Sequence, residues 1–357
     1  MSTTPDPENT LTVTAAESGQ KLLQYLVRRL SLSQVMLHRW IRTGQIRVNG
    51  GRGKPFNRVD AGDQVRLPPF ALKMAASAQF PSAAPAEDGA EPETQPAAPV
   101  IPFLRYGRFG KHSSLPADLS LPPEICRHGD IWAYNKPAGL PVQPGTGHAD
   151  SMVTRLAAAF PHSAFLPTPA HRLDMDTSGV LLAGASYTAL RLLQEAFRTH
   201  AIVKEYLTWV EGLWEYDSPQ PLHHQLAKKY SGYFERMEAG AGKDSFCIVS
   251  PVLRGASGSL LHIRLITGRT HQIRAQLSAC GHPLAGDSKY GSARHDAFLL
   301  HACRVLLPAA LLTGLPDMPA GDVSFEVLPP WRGCMAVDEL PPALTDARCQ
   351  GMIADFQ

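Results

Sequence analysis

Cysteine is scarce in this 357-residue sequence and is not clustered. The six cysteines are widely separated, and no two of them form a C-x-x-C pair. A zinc site needs clustered ligands, and a disulfide framework belongs to short secreted chains with patterned cysteines. We therefore expect reduced thiols and no bound metal.

Long apolar runs and nucleotide-binding motifs are also missing. No stretch is long enough to span a bilayer, and residues 1–14 lack the basic and apolar regions of a secretory signal. No G-x-G-x-x-G, P-loop or regular βαβ alternation occurs, which argues against a nucleotide-cofactor fold. These absences predict a cytoplasmic protein, away from membranes, without a cofactor, and we expect a monomer.

Charge is balanced over the whole chain but not along it. The net charge is only +2, whereas residues 20–66 carry ten Lys or Arg against two Asp, a local net charge of +8. Such a concentration of positive charge is typical of a phosphate-binding module. The alternative at this point is an ordinary solvated basic face.

Residues 20–68 carry the pattern of a small domain, preceded by a polar stretch, residues 1–19, that we predict to be a disordered tail. Apolar residues recur at helix spacing over 22–30. A second helix is capped by Ser31 or Ser33 and ended by Gly44. A short strand with Ile46 and Val48 then leads into an Asn-Gly turn, and another strand with Val65 and Leu67 follows a turn at residues 60–63.

This order of elements, with the string I-R-T-G-Q-I-R-V-N-G, resembles the S4 RNA-binding domain. S4 domains occur on many RNA-binding proteins, so the resemblance implies RNA without selecting a reaction. It leads us to expect RNA contacts from four basic residues, Arg39, Arg42, Arg47 and Lys54.

Composition changes sharply after Pro68. Between residues 75 and 100 more than half of the positions are Ala or Pro, and such a segment cannot bury enough apolar area to offset its ordering entropy. We predict an Ala/Pro-rich linker over residues 69–121 and a catalytic domain over 122–357. In that domain the pattern predicts strands at 131–134, 203–210, 246–253 and 260–266, and helices at 186–198 and 271–279.

Two motifs in the predicted catalytic domain carry chemistry. The string H-R-L-D-M-D-T-S-G-V, residues 171–180, sets Asp174 close to Arg172, on what the pattern predicts to be a strand edge. An aspartate attacks carbon only while it is ionised, and burial raises its pKa unless a cation compensates. A second string, T-G-R-T-H-Q-I-R at 267–274, offers two candidate cations, Arg269 and Arg274.

Together the two strings resemble the RluA-type RNA pseudouridine synthase family, whose motifs read H-R-L-D-x-x-T-S-G and T-G-R-T-H-Q-I-R. The family also carries N-K-P-x-G and K-x-Y, found here at 135–139 and 204–206. The resemblance implies an α+β fold with a mixed, mainly antiparallel sheet and a central cleft. It implies an isomerase that converts uridine to pseudouridine, with large-subunit ribosomal RNA as the expected partner.

The resemblance also implies roles for individual residues. Asp174 falls on the catalytic aspartate and Asp176 on a variable position. Arg172 falls on the arginine that enters the RNA stack when the target nucleotide is flipped out. We expect RNA contacts from Arg172, His171 and Arg269, although a structural role is an alternative for the histidine.

Arg274 falls on the family arginine that pairs with the catalytic carboxylate, while spacing alone would allow Arg269 as that partner. Tyr206 falls on the pocket tyrosine, which stacks on the uracil. The string G-H-P-L-A-G-D-S-K-Y-G at 281–291 also matches the family, and we interpret it as a structural loop.

Two other functions use the same residues differently. A hydrolytic N-glycosidase needs a pair of carboxylates that flank a bond. Asp174 and Asp176 are only two residues apart and need not flank one, and no second acid of suitable pKa is identifiable in the sequence. An inactive RNA-binding or ribosome-assembly factor would have lost the aspartate or its arginine. Because both are present, we rank the enzyme first.

Overall fold

A computed structural model describes residues 9–30, 32–72, 74–75, 118–144, 149–231, 234–291 and 297–354. The chain divides into two compact units. The first holds residues 1–121, 143–168 and 184–191, and the second holds 122–142, 169–183 and 192–357. Residues 143–168 and 184–191, predicted within the catalytic domain, therefore group with the N-terminal unit.

Contacts between helix residue Arg28 and the segment 143–168 show why that segment belongs to the N-terminal unit. The guanidinium of Arg28 lies 4.8 Å from the centre of the Phe165 ring, and its Nη1 is 3.5 Å from the hydroxyl of Thr168. A cation over an aromatic ring is a favourable contact. Periodicity along the sequence reports local structure only, and so it does not predict such a long-range contact.

Two helices form the centre of the N-terminal unit, as predicted. Helix α1 spans Leu22–Leu30 and buries one apolar face, and helix α2 spans Gln34–Arg42. The hydroxyl of Ser33 accepts a hydrogen bond from the Met36 amide at 3.3 Å, so Ser33 caps α2. Gly44 then adopts a φ of +74°, which reverses the chain at little steric cost.

A small antiparallel sheet packs with these helices. It consists of β1 (Thr10–Thr12), β2 (Arg47–Val48), β3 (Gly51–Arg52) and β4 (Gln64–Arg66), in the spatial order β1-β4-β2-β3. The predicted Asn-Gly turn joins β2 and β3, and both turn residues have positive φ.

The predicted limits of this domain need two corrections. The predicted disordered tail over 1–19 is wrong for residues 9–19, because β1 pairs with β4 and Val13 is buried in the core. A three-residue strand is too short to give a periodic signal. At the other end Ala71 and Ala75 are buried against the same core, so packed structure passes residue 68 and reaches at least 75. Most of the predicted linker, residues 76–117, lies outside the described residues.

The larger sheet has eleven strands, in the order β11-β10-β12-β13-β9-β14-β8-β6-β5, with β15 paired to β14 and β7 to β8. Strands β8 and β14 run parallel, while the pairs along β10, β12, β13 and β9 are antiparallel. The sheet is therefore mixed and mainly antiparallel, as predicted. Its strands are β5 (Glu124–His128), β6 (Ile131–Lys136), β7 (Thr168–Pro169), β8 (Ser178–Gly184), β9 (Val203–Glu211), β10 (Gln220–Ser231), β11 (Phe234–Ala239), β12 (Lys243–Arg254), β13 (Gly258–Leu265), β14 (Leu300–Leu307) and β15 (Val323–Glu326).

Further helices of the described residues are α3 (Met152–Ala159), α4 (Tyr187–Arg198), α5 (Gln272–Ala279), α6 (Ala309–Leu312) and α7 (Ala347–Ala354). Helices α4 and α5 and strands β6, β9, β12 and β13 lie where the sequence pattern predicts them. Within the described residues, no helix has the length and hydropathy needed to cross a membrane.

A buried ionic network ties the C-terminal part of the chain to the sheet. Glu205 on β9 is fully buried and accepts hydrogen bonds from His262 at 3.0 Å, Arg304 at 2.5 Å and the Leu344 amide at 2.6 Å. Because each lone pair of a buried carboxylate needs a donor, these contacts fix the segment around Leu344 beside β9.

Candidate active site

A cavity of about 300 Å³ lies where β9, the end of β13, the start of α5 and the loop before β8 meet. This volume is at the lower end of the range of about 300–1,000 Å³ for small-molecule sites. All three predicted catalytic residues, Asp174, Tyr206 and Arg274, contribute to its wall. Three predicted RNA contacts, His171, Arg172 and Arg269, line it as well.

Asp174 lies in a loop, which corrects the predicted strand edge. Strand β8 begins only at Ser178, because a turn over Met175 and Asp176 interrupts the extended chain and the Thr177 amide donates to the Asp174 carbonyl at 3.2 Å. Asp174 is half-buried and Arg172 is exposed. Neither residue therefore lies on a strand, although both line the cavity.

Gly179 fixes the point at which β8 enters the sheet. Its φ is +113°, and a Cβ at this position would lie 2.2 Å from the Ala302 carbonyl oxygen on β14. Only glycine fits such a conformation so close to a neighbouring backbone. The hydroxyl of Ser178 and Nδ1 of His301 are 2.8 Å apart, which adds a second tether. The loop that carries Asp174 is thus held at its C-terminal end.

Lys136 holds the same loop from the other side. Its fully buried ammonium donates hydrogen bonds to the carbonyls of Pro137 at 2.8 Å, Leu140 at 2.8 Å and Met175 at 2.9 Å. Burial lowers the pKa of Lys136 to about 8, although the charges of Asp176 and Asp174 oppose the shift. The N-K-P string at 135–137 matches the family motif, but the lysine was not among the predicted site residues.

Arg274 lies between two carboxylates. Its Nη1 is 3.6 Å from Asp174 Oδ2, while Nε and Nη2 donate to Asp287 at 2.7 and 2.8 Å. Burial alone lowers the pKa of Arg274, but the hydrogen bonds and charge of Asp287, together with Asp174, raise it overall. The predicted partner of Asp174 thus lies beside it, and Asp287 holds that partner in place.

Asp287 was missed as a site residue because the loop at 281–291 was interpreted as structural. The sequence does contain a pattern that points to Asp287. An arginine placed in a buried helix needs a carboxylate, and the matching loop contains one acid only. The side chain of Asp287 is fully buried.

His271 is the second missed residue. Its Nε2 is 3.8 Å from Asp174 Oδ2, and its Nδ1 is 3.0 Å from the Tyr290 hydroxyl. The residue has a φ of +50°, immediately before α5, which turns the chain into the helix. Burial is the main reason why the pKa of His271 is lowered, although the charge of Asp174 raises it.

Tyr206 and Lys204 enter the cavity from β9. Both side chains are buried, and they lie on one face of the strand because they are two residues apart. Burial raises the pKa of the Tyr206 phenol, and the charge of Asp174 adds to the shift. Tyr206 therefore keeps its proton near neutral pH.

Comparison with known proteins identifies the family. A family model described as RNA pseudouridylate synthase matches residues 130–279. The chain is 32% identical over 307 residues to the "Ribosomal large subunit pseudouridine synthase C" of Escherichia coli (strain K12), covering 84% of this chain and 86% of that protein. The protein of the same name from Haemophilus influenzae is 32% identical over 290 residues, or 80% of each chain.

The chain belongs to the RluA-type pseudouridine synthase family. Among solved structures, it is similar to human RNA Pseudouridylate Synthase Domain Containing 1, with 21% identity, a TM-score of 0.49, and coverage of 68% of this chain and 98% of that one. Membership of this family, which the family model and the two ribosomal synthases show, makes the chain an isomerase that acts on RNA.

Two predicted RNA contacts of the synthase have partners inside the protein. His171 Nε2 accepts a hydrogen bond from the Leu182 amide at 3.0 Å, and its ring stacks on Phe197 at 4.2 Å. Burial is the main reason why the pKa of His171 falls to about 3, so the ring is neutral. Arg269 donates from Nε to the Asp244 carbonyl at 3.1 Å. Of the two candidate cations, Arg274 is the one that pairs with Asp174.

The predicted RNA contacts of the N-terminal unit lie at its surface. Arg39 and Arg42 are exposed on α2, and Lys54 is exposed with its ammonium 5.9 Å from the centre of the Phe56 ring. Arg47 is half-buried and donates to the Gly50 carbonyl at 3.1 Å. As for metals, the described part of the synthase contains no group of three His, Cys, Asp or Glu side chains suited to bind one.

Proposed function

We propose that this synthase converts uridine to pseudouridine in large-subunit ribosomal RNA, with Asp174 as its catalytic carboxylate. Both relatives named above are called ribosomal large subunit pseudouridine synthase C, which supports this substrate. One observation carries the proposal for Asp174: its half-buried carboxylate faces the cavity and lies 3.6 Å from the buried guanidinium of Arg274. A fixed cation beside the carboxylate orients it toward the cavity.

The proposed chemistry needs the cavity to hold one base outside the RNA stack. Breaking the C1′–N1 bond leaves C1′ electron-deficient, and the Asp174 carboxylate stabilises that carbon, by a bond or by its charge. Tyr206 stacks on the detached uracil while it turns. The exposed Arg172 at the cavity wall enters the RNA stack in place of the flipped base. No atom is lost, so no cofactor is required.

In this proposal the N-terminal unit provides most of the affinity for RNA. Its small domain is S4-like and binds RNA phosphates through Arg39, Arg42, Arg47 and Lys54. Support comes from the helix and hairpin order and from the exposure of three of these four side chains. We also propose that the protein works as a monomer in the cytoplasm, where ribosomal RNA is found.

Mapping of pseudouridines in ribosomal RNA tests the proposal. RNA from cells that lack the gene should miss one or more pseudouridines of the large-subunit RNA. The wild-type gene should restore them, while Asp174→Asn should not. Unchanged modification in the deletion strain would refute the substrate, and restoration by Asp174→Asn would refute the catalytic role.

A further inference from the structure

Two buried lysines of the second unit differ in how their ammonium groups are satisfied. Lys136 donates its three hydrogens to three backbone carbonyls. Lys204 is 7% exposed, and among the described residues its ammonium has one acceptor, the Ile266 carbonyl at 3.2 Å. An ammonium has three donors, and burial without acceptors is costly. Lys204 therefore has hydrogen-bonding capacity that the folded protein does not use.

The position of Lys204 shows where that capacity is directed. Lys204 and Tyr206 line the cavity from one face of β9, whereas Glu205 points to the opposite face and the His262–Arg304 network. Burial alone lowers the pKa of Lys204 to about 8, with no carboxylate acting against it. The lysine thus faces the cavity that holds Asp174, and in the described part of the chain no carboxylate forms an ion pair with it.

We propose that Lys204 donates a hydrogen bond to a carbonyl oxygen of the substrate uracil and stabilises the negative charge that this oxygen gains when the glycosidic bond breaks. The inference rests on the proposed function, because it assumes that a uracil occupies the cavity. Lys204 would then be a catalytic residue, since its ammonium touches the reacting base.

A base carbonyl fits this lysine better than a phosphate does. The wall around Lys204 includes the apolar side chains of Leu265 and Ile273, and a phosphate would lose most of its hydration there. An RNA phosphate, which keeps most of its water, is better suited to an exposed arginine than to this buried ammonium. A uracil, by contrast, presents two carbonyl oxygens on a largely apolar ring.

The electron count of the reaction explains why a cation is useful at this position. When C1′–N1 breaks, its electron pair stays with the uracil and spreads from N1 onto O2 and O4. A fixed ammonium beside either oxygen stabilises that charge as it develops. The ring turns, C5 bonds to C1′, the C5 proton leaves, and N1 gains a proton. Lys204 keeps its own proton throughout, so no further reactant is needed.

The test compares substitutions in the protein with substitutions in the substrate. The target uridine is first mapped with the wild-type enzyme, and ligated RNAs then carry uridine, 2-thiouridine or 4-thiouridine at that position. Sulfur is a weaker hydrogen-bond acceptor than oxygen. We expect Lys204→Met to lower the single-turnover rate on uridine about 100-fold to 1,000-fold, the typical loss of one such donor. RNA affinity should change less than about threefold, as expected for an interaction made in the transition state.

The rates with thio-substituted RNAs distinguish a contact with the uracil from a purely structural role of Lys204, because a structural role would not change their dependence on sulfur. In the wild type, sulfur at the contacted position should slow the reaction at least about tenfold, whereas in Lys204→Met the same sulfur should add little. Lys204→Gln, which keeps a donor without the charge, serves as a second variant if the methionine variant does not fold. Lys229→Met, at an exposed lysine, is the matched control and should behave as wild type.

Two results would overturn the inference. One is a wild-type rate on uridine in the Lys204 variants. The other is equal sensitivity of wild type and variants to both thio positions, which would show that Lys204 touches neither oxygen. Failure of the proposed function is distinguishable, because the wild-type enzyme would then form no pseudouridine in the mapping step.

Discussion

Asp287 holds Arg274 through both of its carboxylate oxygens, at 2.7 Å from Nε and 2.8 Å from Nη2. The same guanidinium lies 3.6 Å from Asp174 through Nη1. A planar guanidinium that is bound on one edge by two parallel hydrogen bonds cannot rotate away. Asp287 therefore positions the cation that faces the proposed catalytic carboxylate.

We predict that Asp287→Asn lowers the single-turnover rate about 100-fold, the loss expected when a reacting group shifts by about 1 Å. It should also destabilise the protein by about 3–5 kcal/mol, because the buried Arg274 loses the nearer of its two charged partners. RNA affinity should stay near the wild-type value. Rates are compared at a temperature below both melting midpoints. A wild-type rate in the variant would contradict a positioning role for Asp287.

Asp174→Asn should reduce pseudouridine formation below detection and leave RNA binding intact, because it removes the ionisable carboxylate and almost no volume. Asp176→Asn is the matched control, two positions away in the same loop, and should keep most of the activity. The measurement is pseudouridine content of a large-subunit RNA transcript. A similar loss in both variants would revive a mechanism with paired acids.

Arg269 and Arg274 should respond differently to the same substitution. Arg274→Met should lower the rate at saturating RNA at least about 100-fold, since Asp174 loses its fixed cation. Arg269→Met should keep that rate within about threefold and weaken RNA binding, with the salt slope reduced by about 0.9 if one phosphate contact is lost. The reverse pattern would make Arg269 the partner of Asp174.

Removal of positive charge from α2 should weaken RNA binding without affecting the chemical step. The double variant Arg39→Gln/Arg42→Gln should flatten the dependence of log affinity on log salt by about 1.8, because two phosphate contacts are lost. Melting temperature should not change, since both side chains are exposed. An affinity and salt slope equal to wild type would exclude these two residues from the RNA interface.

The Glu205 network predicts how stability depends on pH. Burial raises the pKa of Glu205, but the hydrogen bonds from His262, Arg304 and the Leu344 amide outweigh it and hold the pKa below its usual value of 4.5. Its contribution is therefore fully present above about pH 4.5 and is lost as pH falls through the folded-state pKa.

Glu205→Gln should accordingly lower stability by about 3–5 kcal/mol at pH 7, because the buried His262 and Arg304 lose the carboxylate that they share and Arg304 keeps only its pair with Glu326. The difference from wild type should shrink as pH falls below about 4.5. Thermal melting of both proteins at a series of pH values measures this difference in stability. A difference that stays constant down to pH 3 would show that the Glu205 charge does not stabilise the fold.

The sequence alone determined those features that depend on neighbouring residues. The helix pattern over 22–30, the Ser33 cap and the Asn-Gly turn are local, and the structure has them where the pattern predicts them. Strand β9 and helix α5 follow from periodicity in the same way. The conspicuous motif strings were likewise sufficient to identify the family, because they record chemistry in consecutive residues.

Only the tertiary structure decided which distant groups meet. It placed Asp174 in a loop rather than on a strand, and it brought His271 and Asp287 to the site from positions that looked structural. It also separated two lysines that periodicity cannot distinguish, Lys136 with three acceptors and Lys204 with one. The physical reason is that hydrogen-bond partners and burial arise from contacts between residues far apart in the chain, which local pattern does not encode.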